Sequence, residues 1–402
     1  MATFDFEDLK KEYGYFRRPV MVVKIDDKDL GNEKNGYPVS DIYIDLTAGY
    51  EASIAEFSIF DTYSTDNASY DDSAMLKKFT TLGAKVEIAL GYGTAAKIIF
   101  VGAIMKVNYQ HGLNDFPCIR ITAMDVKGVM MSSNYSRQLT ATCYSGAVRE
   151  ILERNAYSSM QSAGMITGIY VADTPDKTGS EGLAGTSSDT SLAGLSGVGS
   201  SSSEETSDKT IEMVAESDYE FIVKAAKRYN YEFYTEIGTV IFRKAKADTS
   251  SRLVITPDSG LYSFDVSYDV TGLVNTVVVR ANDAAKAKVI EAKKTNSDYT
   301  LPSKAKSLIK GSQKVYVDGS VTSKEEAEYR ANYLMENIAY RFGSLECELV
   351  GMPEYLPGYF YELSGLGDSV NNKFYITRTI HQITTDGQYL VKLEGKAAQK
   401  ES

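Results

Sequence analysis

The chain holds two histidines, His111 and His381, and three cysteines, Cys118, Cys143 and Cys347, and this inventory limits most catalytic chemistry. A zinc-hydrolase helix needs a histidine sharing its face with a glutamate and a second histidine, and neither histidine has such neighbours. Cys143, just before Ser145 at the start of a helical pattern, is the one thiol whose thiolate a helix dipole could favour. A small buried hydrophobe is its simpler role. His381 lies in a strongly alternating segment and reads as a hydrogen-bonded strand histidine. Gly91-Tyr92-Gly93 lacks the third glycine and the preceding βαβ unit of a dinucleotide site. Gly194 to Gly199 contains no Gly-x-Ser-x-Gly elbow. The acidic pairs Asp71-Asp72 and Glu204-Glu205 read as solvated loop charges, and Lys286, Lys288, Lys293 and Lys294 as a solvated basic face. No catalytic, cofactor-binding or metal-ligating residue is assigned, no cofactor is expected, and an enzyme is not the expectation.

The elements that would carry such residues are mostly strands. Pro19 to Ile25, Asp41 to Leu46, Glu51 to Asp61, Lys85 to Leu90, Lys97 to Tyr109 and Cys118 to Asp125 are short alternating segments separated by Gly, Asn and Asp turns, the pattern of an antiparallel barrel or sandwich. A short helix is expected around Asp72 to Phe79. The middle is mixed, with helical spacing over Ser145 to Asn155. Ser217-Asp218-Tyr219-Glu220 is a capping box followed by a stripe of Phe221, Ile222, Ala225, Ala226 and Tyr229, and a hairpin of Tyr231 to Tyr234 and Thr239 to Arg243 comes next. Thr174 to Lys209 is dominated by Gly and Ser and is expected to be a flexible insert, ordered by a neighbouring subunit.

Strands return in the last third, at Leu261 to Val270, Val274 to Ala281, Leu345 to Val350, Phe360 to Leu363, Phe374 to Ile383 and Tyr389 to Glu394. A helix begins at a second capping box, Ser323 to Glu326, with Ala327, Ala331, Leu334 and Ile338 on its buried face. The two ends echo each other: Gly83, Glu87, Gly93 and Phe100 are matched by Gly358, Glu362, Gly367 and Tyr375, and both series span 17 residues. A barrel that occurs twice would leave such a trace. The expected division is a first β-barrel domain at 1–130, an α+β middle domain at 131–255 carrying the insert 174–209, and a second β-barrel domain at 256–402 interrupted by a helix at 323–340.

Composition sets the outer bounds. The 402 residues suffice for more than one core, and a formal charge of −11 argues against nucleic-acid binding through a general basic surface. No apolar run approaches the roughly 18 residues that span a bilayer, so stable membrane insertion is not expected. The N-terminus has no secretory-signal pattern, and the widely spaced cysteines read as reduced thiols, so synthesis in a reducing cytosol is expected. Tyrosine outnumbers phenylalanine 29 to 15 and tryptophan is absent, a usage that suits half-wet strand faces and interfaces.

The string Glu216 to Phe221, continued through Tyr229 to Phe233, resembles the baseplate-hub family of contractile injection machines, which includes the phage late control protein D and the hub part of VgrG. Phe264 to Val279 resembles the strand pair that follows in that family, and Ser323 to Ala331 with Gly351 to Gly358 the helix and closing barrel. Phe374 to His381 is similar to its penultimate strand, and Leu82 to Val107 and Ala123 to Leu139 to its first barrel. The resemblance implies two related, tube-protein-like antiparallel β-barrels plus a helix-containing linker domain. It implies a homotrimer acting as a symmetry adaptor between a hexameric inner tube, or a tube-initiator protein, and a trimeric central spike, with other baseplate proteins as further partners. The chain stops soon after Glu394, without the oligonucleotide-binding-like domain and β-helix that VgrG appends, so a separate spike polypeptide is expected. The alternative from another class is a cell-wall or carbohydrate hydrolase of a tail on a β scaffold, which would need a buried carboxylate pair.

Overall fold

The computed structural model describes residues 3–31, 36–112, 116–176, 211–283, 288–384 and 386–400. The Gly/Ser tract lies outside the described residues from 177 to 210, as do Glu204, Glu205 and Lys286. The fold is mainly antiparallel β with an α+β middle.

The first β region supplies six principal strands: β1 (Pro19–Ile25), β2 (Val39–Thr47), β3 (Ile54–Ile59), β4 (Lys85–Tyr92), β5 (Ala95–Gln110) and β6 (Cys118–Met124). Alternation explains their burial. Ile42, Ile44 and Leu46 of β2, and Ala55, Phe57 and Ile59 of β3, all point into the core, while Tyr43, Asp45 and Glu56 between them are only half-buried. In the middle, α1 (Asp218–Tyr229) carries the full reciprocal capping box between Ser217 and Glu220 and ends at Asn230 in the left-handed conformation. A cap of this kind contributes about 1 kcal/mol. All five stripe residues of α1 are buried, against the hairpin Tyr231–Glu236 and Thr239–Lys244.

The last part supplies β7 (Ser251–Ile255), β8 (Leu261–Tyr268), β9 (Gly343–Val350), β10 (Phe360–Leu363), β11 (Asn372–Ile383) and β12 (Tyr389–Ala397). Between β8 and β9 the chain forms its own layer. The strand Thr276–Asp283 pairs with Lys288–Thr295 and Gln313–Val317 instead of joining the large sheet, and α2 (Lys324–Ala339) covers it through Ala327, Ala331, Met335 and Ile338. The second capping box is only half formed. Ser323 caps the Glu326 amide, but the Glu326 carboxylate takes the Thr322 amide, and Thr322 Oγ1, instead of the amide of Ser323.

The two strand sets repeat one topology. Hydrogen bonding runs β2-β3-β6-β5-β4-β1 in the first and β8-β9-β12-β11-β10-β7 in the second, so each strand corresponds to the one six later. The correspondence extends to single residues. β5 skips one residue against β6 at Met105, and β11 skips one against β12 at Thr377. The Gly83 amide donates to the Ile104 carbonyl at 2.8 Å and the Ile104 amide to Ala84 at 2.9 Å; Gly358, Ile376 and Tyr359 repeat both bonds at 2.8 Å. Gly83 and Gly358 have φ of +82° and +88°, where a side chain is strained. One pairing differs: β1 is antiparallel to β4, whereas β7 is parallel to β10.

The repeat corrects half of the sequence echo. Gly83/Gly358 and Glu87/Glu362 are equivalent, since the β4–β5 and β10–β11 ladders set Lys85 and Phe360 in the same place. Phe100 corresponds to Asn372, however, and the counterpart of Tyr375 is Ala103, because the path from Phe360 to its partner Tyr375 is three residues shorter than that from Lys85 to Ala103. The two sets are joined by β2 pairing with β11 into one 13-stranded sheet around a shared core, and neither set closes a separate hydrogen-bonded ladder among the described residues.

Candidate assembly site

The residues that stand out chemically hold the repeats and the middle together. At the β2–β11 junction, Arg378 stands opposite Thr47 and reaches diagonally to Asp45, donating from Nε at 2.8 Å and from Nη2 at 2.6 Å. This bidentate fork raises the Arg378 pKa. The other face of the junction is dry: Ile44, Thr379 and His381 are fully buried. His381 Nδ1 sits 2.7 Å from the Tyr389 hydroxyl, and Nε2 sits 2.8 Å from the Tyr355 carbonyl. Burial pushes its pKa down to about 4, so the ring stays neutral near pH 7.

A second clasp comes from the buried loop Gly351 to Gly358. Glu354 Oε1 accepts from the Tyr13 hydroxyl at 2.8 Å and from Lys97 Nζ at 2.8 Å, tying the N-terminal segment and β5 to the second strand set. The middle is attached through buried charge. Glu232 accepts from Arg243 Nε at 2.6 Å and from the Tyr375 hydroxyl of β11, while Arg243 Nη2 donates to the Gly358 carbonyl at 2.9 Å. Asp125, after β6, accepts from the amides of Ser53 and Lys127, both at 3.0 Å, and from the Thr235 hydroxyl. Fully buried Lys127 donates to the carbonyls of Gly49 (3.3 Å) and Glu51, and burial lowers its pKa.

A cleft of about 450 Å³ lies between α1 and α2. Two of its carboxylates are committed to arginines, Glu326 to Arg228 at 2.8 Å and Asp318 to Arg330 at 3.0 Å, and the third, Glu220, accepts from the amide and hydroxyl of Ser217 in the capping box. Hydrogen bonds from Thr322 and Arg228 outweigh the opposing effect of burial and hold Glu326 down at about 2. A carboxyl held ionised in this way is a poor general acid.

The residues weighed in the sequence are scattered. Cys143 is the buried N-cap of the helix Tyr144–Leu152, its Sγ 3.4 Å from the Gly146 amide, with no histidine beside it. His111 is exposed and packs on the Tyr63 ring. Gly91-Tyr92-Gly93 forms the end of β4 and its turn, with Tyr92 between Tyr13 and Tyr389. Asp71 accepts from Tyr37, Asp72 pairs with Lys77, and Lys293 and Lys294 pair with Glu291 and Asp298. Among the described residues no group of three or more His, Cys, Asp or Glu side chains could hold a metal ion, and no helix is long and apolar enough to cross a membrane. Sequence reading missed Glu354, Lys127 and Glu232, for a lone charge in an apolar stretch carries no periodic signal.

No curated protein matches the chain in sequence. A sequence family described as the Alg8 N-terminal domain matches residues 190–385, just under half of the chain. That span cuts between β11 and β12, which are paired, so its end does not fall at the edge of a folded unit. Among solved structures the chain is similar to a tail protein from Neisseria meningitidis MC58, with a TM-score of 0.62 at 11% identity, covering 94% of this chain and 97% of that one. It is similar in the same way to the 43 kDa tail protein of prophage MuSo2 from Shewanella oneidensis, with a TM-score of 0.61 at 12% identity over 94% and 98% of the two chains. An E. coli component of the type VI secretion system, itself structurally similar to the T4 tail proteins gp27 and gp5, matches with a TM-score of 0.51 at 10% identity over 94% and 77%. At such identities the likeness speaks for the fold, and the fold of this chain is the one that these tail proteins have.

Proposed function

We propose that the chain is a structural, non-enzymatic baseplate hub of a contractile tail or injection system. Three copies form a ring that joins a hexameric inner tube, or its initiator protein, to a trimeric spike, with other baseplate proteins around it. In this reading the units 1–130 and 256–402 meet the tube, the unit 131–255 braces them, and the chain functions as part of an assembled phage-tail-like particle after synthesis in a bacterial cytoplasm. The observation that carries the reading is the internal repeat. A chain with two copies of one strand order offers six near-equivalent units per trimer, which is what an object contacting six-fold and three-fold partners needs. The shared fold with tail proteins supports it. The hydrolase alternative has no support from the acids of the α1–α2 cleft, which are held by arginines or, for Glu220, by the helix cap.

Electron microscopy of the particle end tests the proposal. Three copies of the chain are expected, with both strand sets facing the tube. Six copies per ring, or peptidoglycan release by the purified protein, would overturn it.

A further inference from the structure

We propose that β8 of one chain extends the sheet of a second copy of this chain, pairing antiparallel with the C-terminal half of that copy's β5. The inference rests on the ring reading above and adds its contact. Each chain already contains one junction between its two strand sets, where β2 pairs with β11. By the residue correspondence, β8 is the counterpart of β2 and β5 the counterpart of β11. Among the described residues, the partners those counterparts would need are missing. β2 lies between β3 and β11, but β8 has β9 alone and ends the sheet. Residues 378–382 of β11 have β12 on one side and β2 on the other, whereas residues 106–110 of β5 have only β6. One chain therefore keeps two complementary half-junctions at different places, and a head-to-tail array of copies fills both.

The internal junction also fixes the register. Arg378 stands opposite Thr47, Ile380 opposite Asp45 and Gln382 opposite Tyr43. Carried across, Lys106 stands opposite Asp269 of the second copy, Asn108 opposite Ser267 and Gln110 opposite Asp265. That face brings the cations Lys106 and Arg120, which is opposite Asn108 on β6, against Asp265 and Asp269. Lys106, Arg120 and Asp265 make no ion pair among the described residues. The other face sets Val107 opposite Tyr268 and Tyr109 opposite Val266, the places that buried Thr379, Leu46, His381 and Ile44 hold at the internal junction. Both edges carry exposed aromatics: Tyr109 is 52% exposed and Phe264 43%. Opposite charges on one face and apolar side chains on the other favour this register, because a slip of one residue would exchange the faces. The Tyr70 hydroxyl already caps the Gln110 carbonyl at 2.6 Å, so the new ladder ends there.

The test uses the full chain, with its mass followed by light scattering across concentration. Oxidation of the double variant Asn108→Cys/Ser267→Cys is expected to give covalently linked multimers on a denaturing gel. Wild type, either single variant and Asn108→Cys/Phe264→Cys, whose thiols lie on opposite faces, should not. Lys106→Glu should weaken self-association about tenfold or more, and adding Asp269→Lys should restore it. Self-association with no 108–267 bond and no response to charge reversal would overturn this contact and leave the ring reading standing. A chain that stays monomeric at every concentration would overturn both.

Discussion

Gly83 and Gly358 occupy the same place in the two strand sets, make the same hydrogen bonds and share a left-handed φ, yet their surroundings differ. A methyl group at Gly83 would meet nothing within 4 Å; at Gly358 it would lie 2.7 Å from the Tyr234 hydroxyl and 2.9 Å from the ring carbon bearing it. Replacing either glycine by alanine forces a left-handed alanine, at roughly 1–2 kcal/mol, partly offset by about 0.4–1 kcal/mol from a less flexible unfolded chain. Gly83→Ala should therefore cost about 1 kcal/mol. Gly358→Ala adds overpacking against Tyr234, which is fully buried and lies under Arg243, at roughly 1–3 kcal/mol more. With an unfolding entropy of about 2.1 cal/mol/K per residue over the 402 residues, 1 kcal/mol shifts Tm by about 1 °C, so the shifts should be about 1 °C and about 2–5 °C. Scanning calorimetry measures both. Among the described residues the Tyr234 hydroxyl has no hydrogen-bond partner, so Tyr234→Phe should be mild alone and should recover part of the loss in the Gly358→Ala background. Equal shifts for the two glycines, or no relief from Tyr234→Phe, would refute the reasoning.

His381 has a folded pKa depressed to about 4 from an ordinary 6.5. The unfolded chain therefore binds the proton first, and the stability His381 contributes is complete above pH 6.5 and is lost as pH falls toward 4, by roughly 3 kcal/mol. Urea titrations at pH 7, 5.5 and 4.5 should show a steeper loss for wild type than for His381→Gln, and parallel losses would count against it. Asp125→Ala removes the acceptor of two amides and a hydroxyl and deprives buried Lys127 of its nearest carboxylate. A loss of about 3–5 kcal/mol is expected, with part recovered by adding Lys127→Met, read from a double-mutant cycle of unfolding midpoints. Cys118, Cys143 and Cys347 are all buried, and burial pushes Cys347 up to about 12. A thiol reagent at pH 8 should label almost none in the native protein and three after unfolding.

Local elements were legible where one physical signal dominates. β1 and β10 fall on the residues that the sequence marks as strands, Pro19 to Ile25 and Phe360 to Leu363. α1 was legible because its cap, stripe and end agree. The helix Asn155–Ser162 was not: it follows the preceding helix directly, and Arg154 at its N-cap offers no side-chain bond. The edge strands Tyr135–Leu139 and Lys288–Thr295 are largely exposed and leave little pattern of burial for the sequence to show. The strand at 276–283 reads correctly as a strand but its sheet cannot be read, since Val277 and Val279 would be buried under either the large sheet or α2. The repeat behind the candidate assembly site was legible only as two glycines, Gly83 and Gly358, and two glutamates, Glu87 and Glu362. What defines it is register, and register is a property of paired strands that single-strand periodicity does not carry.

The divergence between the two strand sets follows from which edges the chain covers by itself. At the internal junction the buried face can be wholly committed, and there the sequence places His381 and Thr379 with their polar atoms out of water. The residues of β5 equivalent to these are Tyr109 and Val107, and the residues of β8 that would face them are Val266 and Tyr268, none of which leaves a charge at the bare edge. A chain that is made singly and assembles later needs edges that tolerate water and still reject wrong partners, because an open strand of uniform polarity pairs with almost any other. In the proposed contact, alternating Asp265, Ser267 and Asp269 would supply that rejection on β8, since acidic edges repel one another and accept an edge that carries Lys106. The same argument explains why the internal pair can use a bidentate Arg378–Asp45 fork whereas the free edge carries a lysine. A fork needs both partners fixed in one chain to hold its geometry, while a lysine can search for its carboxylate as two copies come together.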